Sequence, residues 1–285
     1  MAERRPTVEN LDNDIRDEVV PFYFGTSPKR LYGCYHPPQV PVQKAFAIVL
    51  CAPIGQEYLK SHRVLYQLAA LLSRAGFHVL RFDYSGCGDS EGDFEAGSLS
   101  QWNADVFTAI GEIQKRSGLI SICLVGLRIG ALLALRTATD CPHVGGLVLW
   151  EPVFKGGAYV MQLKDLHLEF MRRNHRYLEP GVGERTKGRI TTEVLGFPIT
   201  PNLNLELREI ELDHARIGRH VRLLALFNSE ESLAVGDLSN FAKLYPQAHV
   251  QKIDEKCVLW REFDKRLTPA NSLKFVVNWI RSVQM

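Results

Sequence analysis

An alternation of wholly apolar runs with amphipathic stretches, beginning at Ala45, limits this chain to very few folds. Ala45–Cys51 (AFAIVLC) is continuously apolar, the pattern of a strand buried on both faces. In the following stretch, His62–Ala75, Val64, Leu65, Leu68, Ala69 and Leu72 fall at helical spacing, and Gly76 is a stop signal. The pairing recurs as strand Phe77–Phe82, helix Ser98–Arg116 with Ser98 at the N-cap, strand Ile120–Val125, helix Arg128–Ala138 and strand Gly146–Trp150. Buried strands alternating with helices require a mostly parallel sheet with right-handed crossovers. Two short strands, Val19–Phe24 and Arg30–Tyr35, precede this pattern, joined by a turn that starts at Gly25. Residues 1–18 read as a mobile arm outside a domain spanning 19–285.

The alternation stops near Glu151 and resumes near Gly218. The stretch between is polar, with a helical piece, Ala158–Arg173, and a Gly/Pro-rich piece, Glu179–Pro201. It reads as an insertion placed where a lid would sit. Strand Val221–Phe227, helix Gly236–Leu244, strand His249–Ile253 and helix Pro269–Val283 complete the pattern.

With 285 residues, 46% of them hydrophobic, the chain can bury the core of one large α/β domain. Its 34 basic and 32 acidic residues leave a net charge of +2, which gives no case for nucleic acid, a membrane surface or a strongly acidic partner. No stretch reaches the roughly 18 apolar residues of a transmembrane segment. Residues 1–20 lack the apolar run of a secretory signal, so the expectation is a soluble, cytoplasmic protein. The six cysteines form no C-x-x-C pair and read as free thiols of a reducing compartment. No His/Cys/Asp cluster has zinc-site spacing, and neither a metal nor a cofactor is expected.

The chemistry-bearing constellation is Gly126-Leu127-Arg128-Ile129-Gly130, lying between a predicted strand and a predicted helix. A G-x-(nucleophile)-x-G frame in that context is a nucleophile elbow, where two glycines permit a crowded turn that lifts the middle residue above the sheet. Cys51-Ala52-Pro53-Ile54-Gly55-Gln56-Glu57 follows an earlier strand, in the position of a loop that supplies an oxyanion-hole N–H. Asp83-Tyr84-Ser85-Gly86-Cys87-Gly88-Asp89-Ser90 follows another strand and closes a glycine-rich turn, in which Asp83, Ser85 and Ser90 suit structural hydrogen bonds.

From about Val20 onward the chain resembles the α/β-hydrolase superfamily, near its serine-aminopeptidase-like group. More narrowly, it resembles hydrolases associated with the exosortase A system. The narrower likeness rests on Ala52-Pro53-Ile54-Gly55-Gln56-Glu57-Tyr58, Ser61-His62-Arg63, Phe82-Asp83-Tyr84-Ser85-Gly86, Gly126–Ala131, Leu149-Trp150-Glu151-Pro152-Val153 and Gly196-Phe197-Pro198. The resemblance implies ester, thioester or amide hydrolysis by a serine, an acid and a histidine. On the narrower likeness alone, it also implies an interaction module in a cell-envelope polysaccharide or protein-sorting pathway.

The chain departs from that pattern at two members of the triad. Arg128 stands at the serine position, and a guanidinium is permanently protonated and cannot attack a carbonyl. Glu230, Glu231 and Asp237 are available for the acid, but Asp254–Glu262, where the histidine belongs, contains none. What remains without a triad is roughly 10³- to 10⁴-fold over water. Two readings of Arg128 stand side by side. At a helix N-terminus, its forked donor suits an anionic or strongly polar group of a ligand. Alternatively it pairs with an internal acid, Glu57 or Glu151.

The overall expectation is an α/β-hydrolase-fold protein that binds a small-molecule anionic or acyl ligand without standard serine hydrolysis. The alternative is a hydrolase or acyltransferase of unorthodox mechanism using Arg128, Glu57 and His62. Ile54, Gly55, Tyr58, Leu127, Ile129, Trp150, Glu151 and Trp260 are the candidate pocket lining, with core packing the competing reading for the aromatics. Cys51 and Cys257 lie near the candidate site but have no histidine placed to activate them. Arg172, Arg173, Asn174, His175 and Arg176 read as a solvated basic face rather than a binding site for an acidic partner. The sequence leaves a homodimer open.

Overall fold

In the computed structural model of the chain, the described residues are 18–41, 44–173, 193–212, 217–218, 220–227, 238–253 and 269–283. They contain an eight-stranded sheet of order β1-β2-β4-β3-β5-β6-β9-β10. β1 (Val20–Phe24) and β2 (Leu31–His36) form an antiparallel hairpin, and β2 joins β4 (Val79–Phe82) antiparallel. All remaining pairings are parallel, through β3 (Ala47–Cys51), β5 (Ile122–Leu127), β6 (Val144–Trp150), β9 (Arg222–Phe227) and β10 (His249–Lys252).

Side chains alternate between the two faces of these strands with period two. Ile122 and Leu124 of β5 enter the core shared with α2 (Leu99–Ser117) and α3 (Ile129–Asp140). Cys123 and Val125 enter the core shared with α1 (Gly55–Arg74) and α7 (Ala270–Ser282). With helices on both faces, the central strands have no solvent-facing side, which explains their unbroken apolar composition.

Between β6 and β9, the described residues form α4 (Gly156–Arg173), a two-stranded ribbon of β7 (Glu193–Val194) and β8 (Phe197–Pro198), and α5 (Pro201–Arg208). The sequence reading missed α5, although its signals are present. Pro201 sits in the first turn, and the Thr200 hydroxyl accepts a hydrogen bond from the Leu203 N–H at 3.2 Å. One further helix, α6 (Leu238–Leu244), precedes β10. Among the described residues no helix is long and apolar enough to cross a membrane, and the five cysteines are free.

Two of the boundaries that differ from expectation bear on the crevice. α1 begins at Gly55, not His62, so Gly55–Tyr58 is the first helical turn rather than a loop. No apolar period marks this turn, but Glu57 is a carboxylate in the first turn, where the exposed N–H groups favour negative charge. β5 runs on to Leu127, and Arg128 is the N-cap of α3 rather than its first helical residue.

The backbone is crowded between β5 and α3. A Cβ on Gly126 would lie 2.4 Å from the Gly130 carbonyl oxygen, and one on Gly130 would lie 2.2 Å from the Cys51 carbonyl oxygen. These glycines therefore let α3 start directly against its own strand and the end of β3. By contrast, a Cβ on Gly111 in the middle of α2 would meet nothing within 4 Å. Gly130→Ala is expected to destabilise by about 1–3 kcal/mol through overpacking. Gly111→Ala should stabilise by about 0.5–1 kcal/mol by reducing the freedom of the unfolded chain. Chemical denaturation of the two variants, which carry the same chemical change, checks both signs.

Candidate functional site

The strand order reverses at β3, which has β4 on one side and β5 on the other. Such a switch point opens a crevice at the carboxyl ends of the strands. α1 starts at the fourth residue after β3, and α3 starts at the second residue after β5, so two helix N-termini meet there. Arg128 links β5 to α3 with φ 57° and ψ −120°, a conformation that side-chain-bearing residues rarely adopt. The turn is held by Arg128 N–H donating to the Trp150 carbonyl at 3.0 Å and by Ala131 N–H donating to the Arg128 carbonyl at 3.0 Å. Glu151, at the end of β6, also has a positive φ, 50°, and its N–H donates to the Leu226 carbonyl at 2.8 Å.

The Arg128 side chain is sealed, with 0% exposure, and Glu57 is 3% exposed. Arg128 Nε donates to Glu57 Oε1 at 2.9 Å, forming a buried ion pair. Arg128 Nη2 donates to Gln162 Oε1 at 2.6 Å, and the Tyr159 hydroxyl donates to Glu57 Oε2 at 2.8 Å. The guanidinium also lies over the Tyr159 ring, 5.2 Å from its centre. Tyr159 and Gln162 are three residues apart on α4, so one turn of that helix reaches both members of the pair.

Burial opposes the Arg128 charge most strongly, but the Glu57 carboxylate, Tyr159 and the Glu151 carboxylate outweigh it and hold the pKa above its ordinary value. Burial first, and Glu57 second, push the Tyr159 phenol well up, so it stays a neutral donor. Among the described residues the strand ends thus gather one guanidinium, two carboxylates, a phenol and an amide. This set can hold hydrogen-bonding groups in a dry site. Its one hydroxyl, the Tyr159 phenol, is bonded to Glu57, and burial pushes the nearby Cys51 thiol up to about 12.

Of the two readings of Arg128, the structure realises the internal pairing, with Glu57 as the direct partner and Glu151 acting through its charge. His62 is not brought to Glu57. It is exposed on α1, edge-on to the Tyr58 ring at 5.8 Å, and its charged neighbours are Arg81, Asp83 and Asp89. Partial burial, with Arg81 next, lowers its pKa.

The Tyr58 hydroxyl donates to Asp83 Oδ1 at 2.6 Å, while Asp83 Oδ2 accepts from the Asp89 N–H at 3.0 Å. Tyr58 thereby ties α1 to the glycine-rich turn after β4. In the same turn, Ser90 Oγ donates to the Asp83 carbonyl and Ser85 Oγ to Asp105, the structural roles expected of them.

Ile54 and Ile129 pack into the α2–α3 core, and Leu127 and Trp150 into the α1–α7 core. Trp150 is 0% exposed, and its indole N–H has no hydrogen-bond partner among the described residues. Gly55 faces Phe197 of β8, whose nearest ring atom is 3.5 Å from where a Cβ would stand. Trp260, Cys257, Glu230, Glu231, Asp237 and residues 174–176 lie outside the described residues, while Arg172 and Arg173 are exposed at the end of α4. Sequence reasoning missed Tyr159 and Gln162. Their signal was a pair of polar groups three apart beside the buried Val160, Leu163 and Leu166.

A mostly parallel sheet with this strand order, a crowded strand–turn–helix at β5 and a crevice at the switch point together define an α/β-hydrolase fold. The chain belongs to the serine aminopeptidase (S33) family, whose model matches residues 43–195, more than half of its length. It is similar to protein ABHD12B of Homo sapiens, 36% identical over 97 residues, which cover 32% of this chain and 25% of that protein. It is also similar to the mitochondrial palmitoyl-protein thioesterase ABHD10 of Homo sapiens, 35% identical over 68 residues, 24% of this chain and 21% of that one. The chain thus spans about a quarter or less of each of these relatives. Among solved structures, the esterase Pf2001 of Pyrococcus furiosus superposes with a TM-score of 0.64 at 14% identity, over 98% of this chain and 96% of that one, a likeness of fold alone.

Removing one member of a buried ion pair strands the other charge. Glu57→Gln is expected to cost about 3–5 kcal/mol. Adding Arg128→Met should recover much of that loss, because replacing both charges by groups of similar volume is often neutral. Urea denaturation of the two single variants and the double variant measures the coupling.

Proposed function

We propose that this chain is a ligand-binding member of its family that does not perform standard serine hydrolysis, and that its ligand is an acyl group held by Arg128 beneath a lid. The observation that carries this reading is the sealed guanidinium at the G-x-x-x-G turn, already bonded to Glu57. Arg128 stands where a serine nucleophile would be expected, and its guanidinium keeps its protons and has no lone pair to offer. The segment containing α4 is the lid, since it brings Tyr159 and Gln162 down onto the ion pair.

Charge balance favours a neutral acyl carbonyl over an anion. An anionic head would have to displace Glu57 and then sit beside two carboxylates. A carbonyl oxygen needs only to replace the Gln162 amide oxygen, an acceptor of the same kind, and leaves the Arg128–Glu57 pair whole. Gln162 is also the half-buried member of the set, on the side from which the lid would lift. An esterase and a palmitoyl-protein thioesterase stand among the similar proteins, and both names denote acyl carbonyl substrates.

Fatty-acyl esters and thioesters should therefore bind without turnover, and more tightly than the free carboxylates. Arg128→Ala should weaken acyl binding about tenfold or more, the scale of a charge-assisted hydrogen bond. Calorimetric titration that finds the same affinity in this variant would remove Arg128 from ligand binding. A fluorophosphonate probe should leave the protein unlabelled, and labelling would restore a serine mechanism. The strained φ retained at Arg128 favours one rival, a hydrolase or acyltransferase of unorthodox mechanism. Ester or thioester turnover that is lost in both Arg128→Ala and Glu57→Gln would establish that rival.

A further inference from the structure

The near balance of charge in the whole chain hides an uneven distribution. α1 and α7 pack side by side over one face of the sheet, and together they carry five cations: Lys60, Arg63, Arg74, Lys274 and Arg281. Their one acid is Glu57, which is buried against Arg128. The cations fall on outward stripes. Arg63, Gln67, Ala70 and Arg74 follow one another at spacings of four, three and four along α1, and Lys274, Val277 and Arg281 at three and four along α7. Arg63, Arg74, Lys274 and Arg281 are exposed. Apolar side chains stand among them. Leu59, Leu71 and Tyr66 are 58%, 38% and 36% exposed, and Val277 is half-buried. Between the helices runs a groove of about 510 Å³, whose sides include Tyr66, Leu71, Arg74, Lys274 and Val277.

We propose that the α1–α7 face docks this protein on an anionic membrane surface, its cations meeting lipid phosphates while Leu59, Tyr66 and Leu71 enter the headgroup layer. Three observations select this partner. The sign of the charge works against a second copy of this chain, which would set like charges against each other. The spread of the charge defeats a ligand with a single anionic head. Arg63 and Arg74 lie eleven residues apart, about 16 Å along the axis of α1, with Lys274 and Arg281 on a second helix. The groove's floor decides against an acidic amphipathic helix. Ala70 and Leu273 are already buried there, and the apolar groups that remain available stand outward instead. A bilayer takes outward leucine and tyrosine side chains into its interface, and each nearby lysine or arginine adds to the attraction for acidic lipid. Among the described residues no helix can cross a membrane, so the attachment is peripheral. None of the docking residues belongs to the Arg128 set, so the surface stands apart from the acyl-binding reading.

The test is co-sedimentation of the full chain with two kinds of vesicle: phosphatidylcholine alone, and phosphatidylcholine with phosphatidylglycerol at about two to one. The mixed vesicles should bind the protein and the neutral ones should not, with binding falling as salt rises. Arg63→Glu combined with Lys274→Glu, both at exposed positions, should weaken binding about tenfold or more while leaving the circular dichroism unchanged. Lys115→Glu combined with Arg208→Glu makes the same change of charge at exposed positions of α2 and α5, and should weaken binding far less. In Leu71→Trp, brominated lipid should quench the added indole beyond the quenching seen in the parent chain. Soluble polyglutamate at matched charge should displace the protein from vesicles only in part. Failure to bind the mixed vesicles, equal binding to both kinds, equal loss in the two double variants or no extra quenching would each overturn the proposal. Full displacement by polyglutamate would overturn it too, and would assign the face to an acidic polypeptide.

Discussion

A single buried ion pair organises the crevice of this molecule. Arg128 and Glu57 sit at the starts of two helices that follow neighbouring parallel strands, and the two positions are not electrostatically equivalent. A helix N-terminus carries partial positive charge, which suits the Glu57 carboxylate and works against the Arg128 guanidinium. Taking both groups out of water adds a further penalty of several kcal/mol per ion. The surroundings offset these costs on the side where they fall. Arg128 gains a second carboxylate in Glu151, an amide oxygen from Gln162 and an aromatic face from Tyr159, while Glu57 has a donor on each oxygen.

The rest of the site follows from holding that pair in place. Arg128 projects above the sheet only because the turn after β5 is sharp, and the turn is sharp only because Gly126 and Gly130 leave room for the backbone of α3 and β3. The positive φ values at Arg128 and Glu151 mark two adjacent strand ends where the chain accepts strain of order 1–3 kcal/mol each. Both residues are wholly buried, so the surrounding packing has the rigidity to hold them there.

Much of this was legible in the sequence, for identifiable reasons. Strands buried on both faces are continuous apolar words, and Ala45–Cys51 or Gly146–Trp150 can hardly be read otherwise. The glycine frame around Arg128 announces its turn, and the acids able to meet the arginine were few enough to name. What escaped were features that depend on three-dimensional approach. Glu57 lies in a helical turn that no apolar period marks. His62 follows Glu57 closely in the chain, yet a helix turns it toward Asp83 instead. Tyr159 and Gln162 reach the pair from a helix far along the chain, and no local pattern distinguishes a tyrosine that will bond to Glu57 from one that simply fills a core. Trp150 looked like a pocket aromatic because it ends a strand, but its side chain packs in the layer beneath α1 and α7.

The way Glu57 is satisfied bears on how reversible this architecture is. Its two oxygens are divided between a cation and a phenol, and Arg128, Glu57 and Tyr159 are all buried. Putting the short side chain Arg128→Ser at the turn would disturb more than the turn itself. It would empty the volume of a guanidinium and leave the buried anion of Glu57 without that counter-charge. Because each member of the set is satisfied by the others, no one of these positions can be exchanged without rebuilding its neighbours.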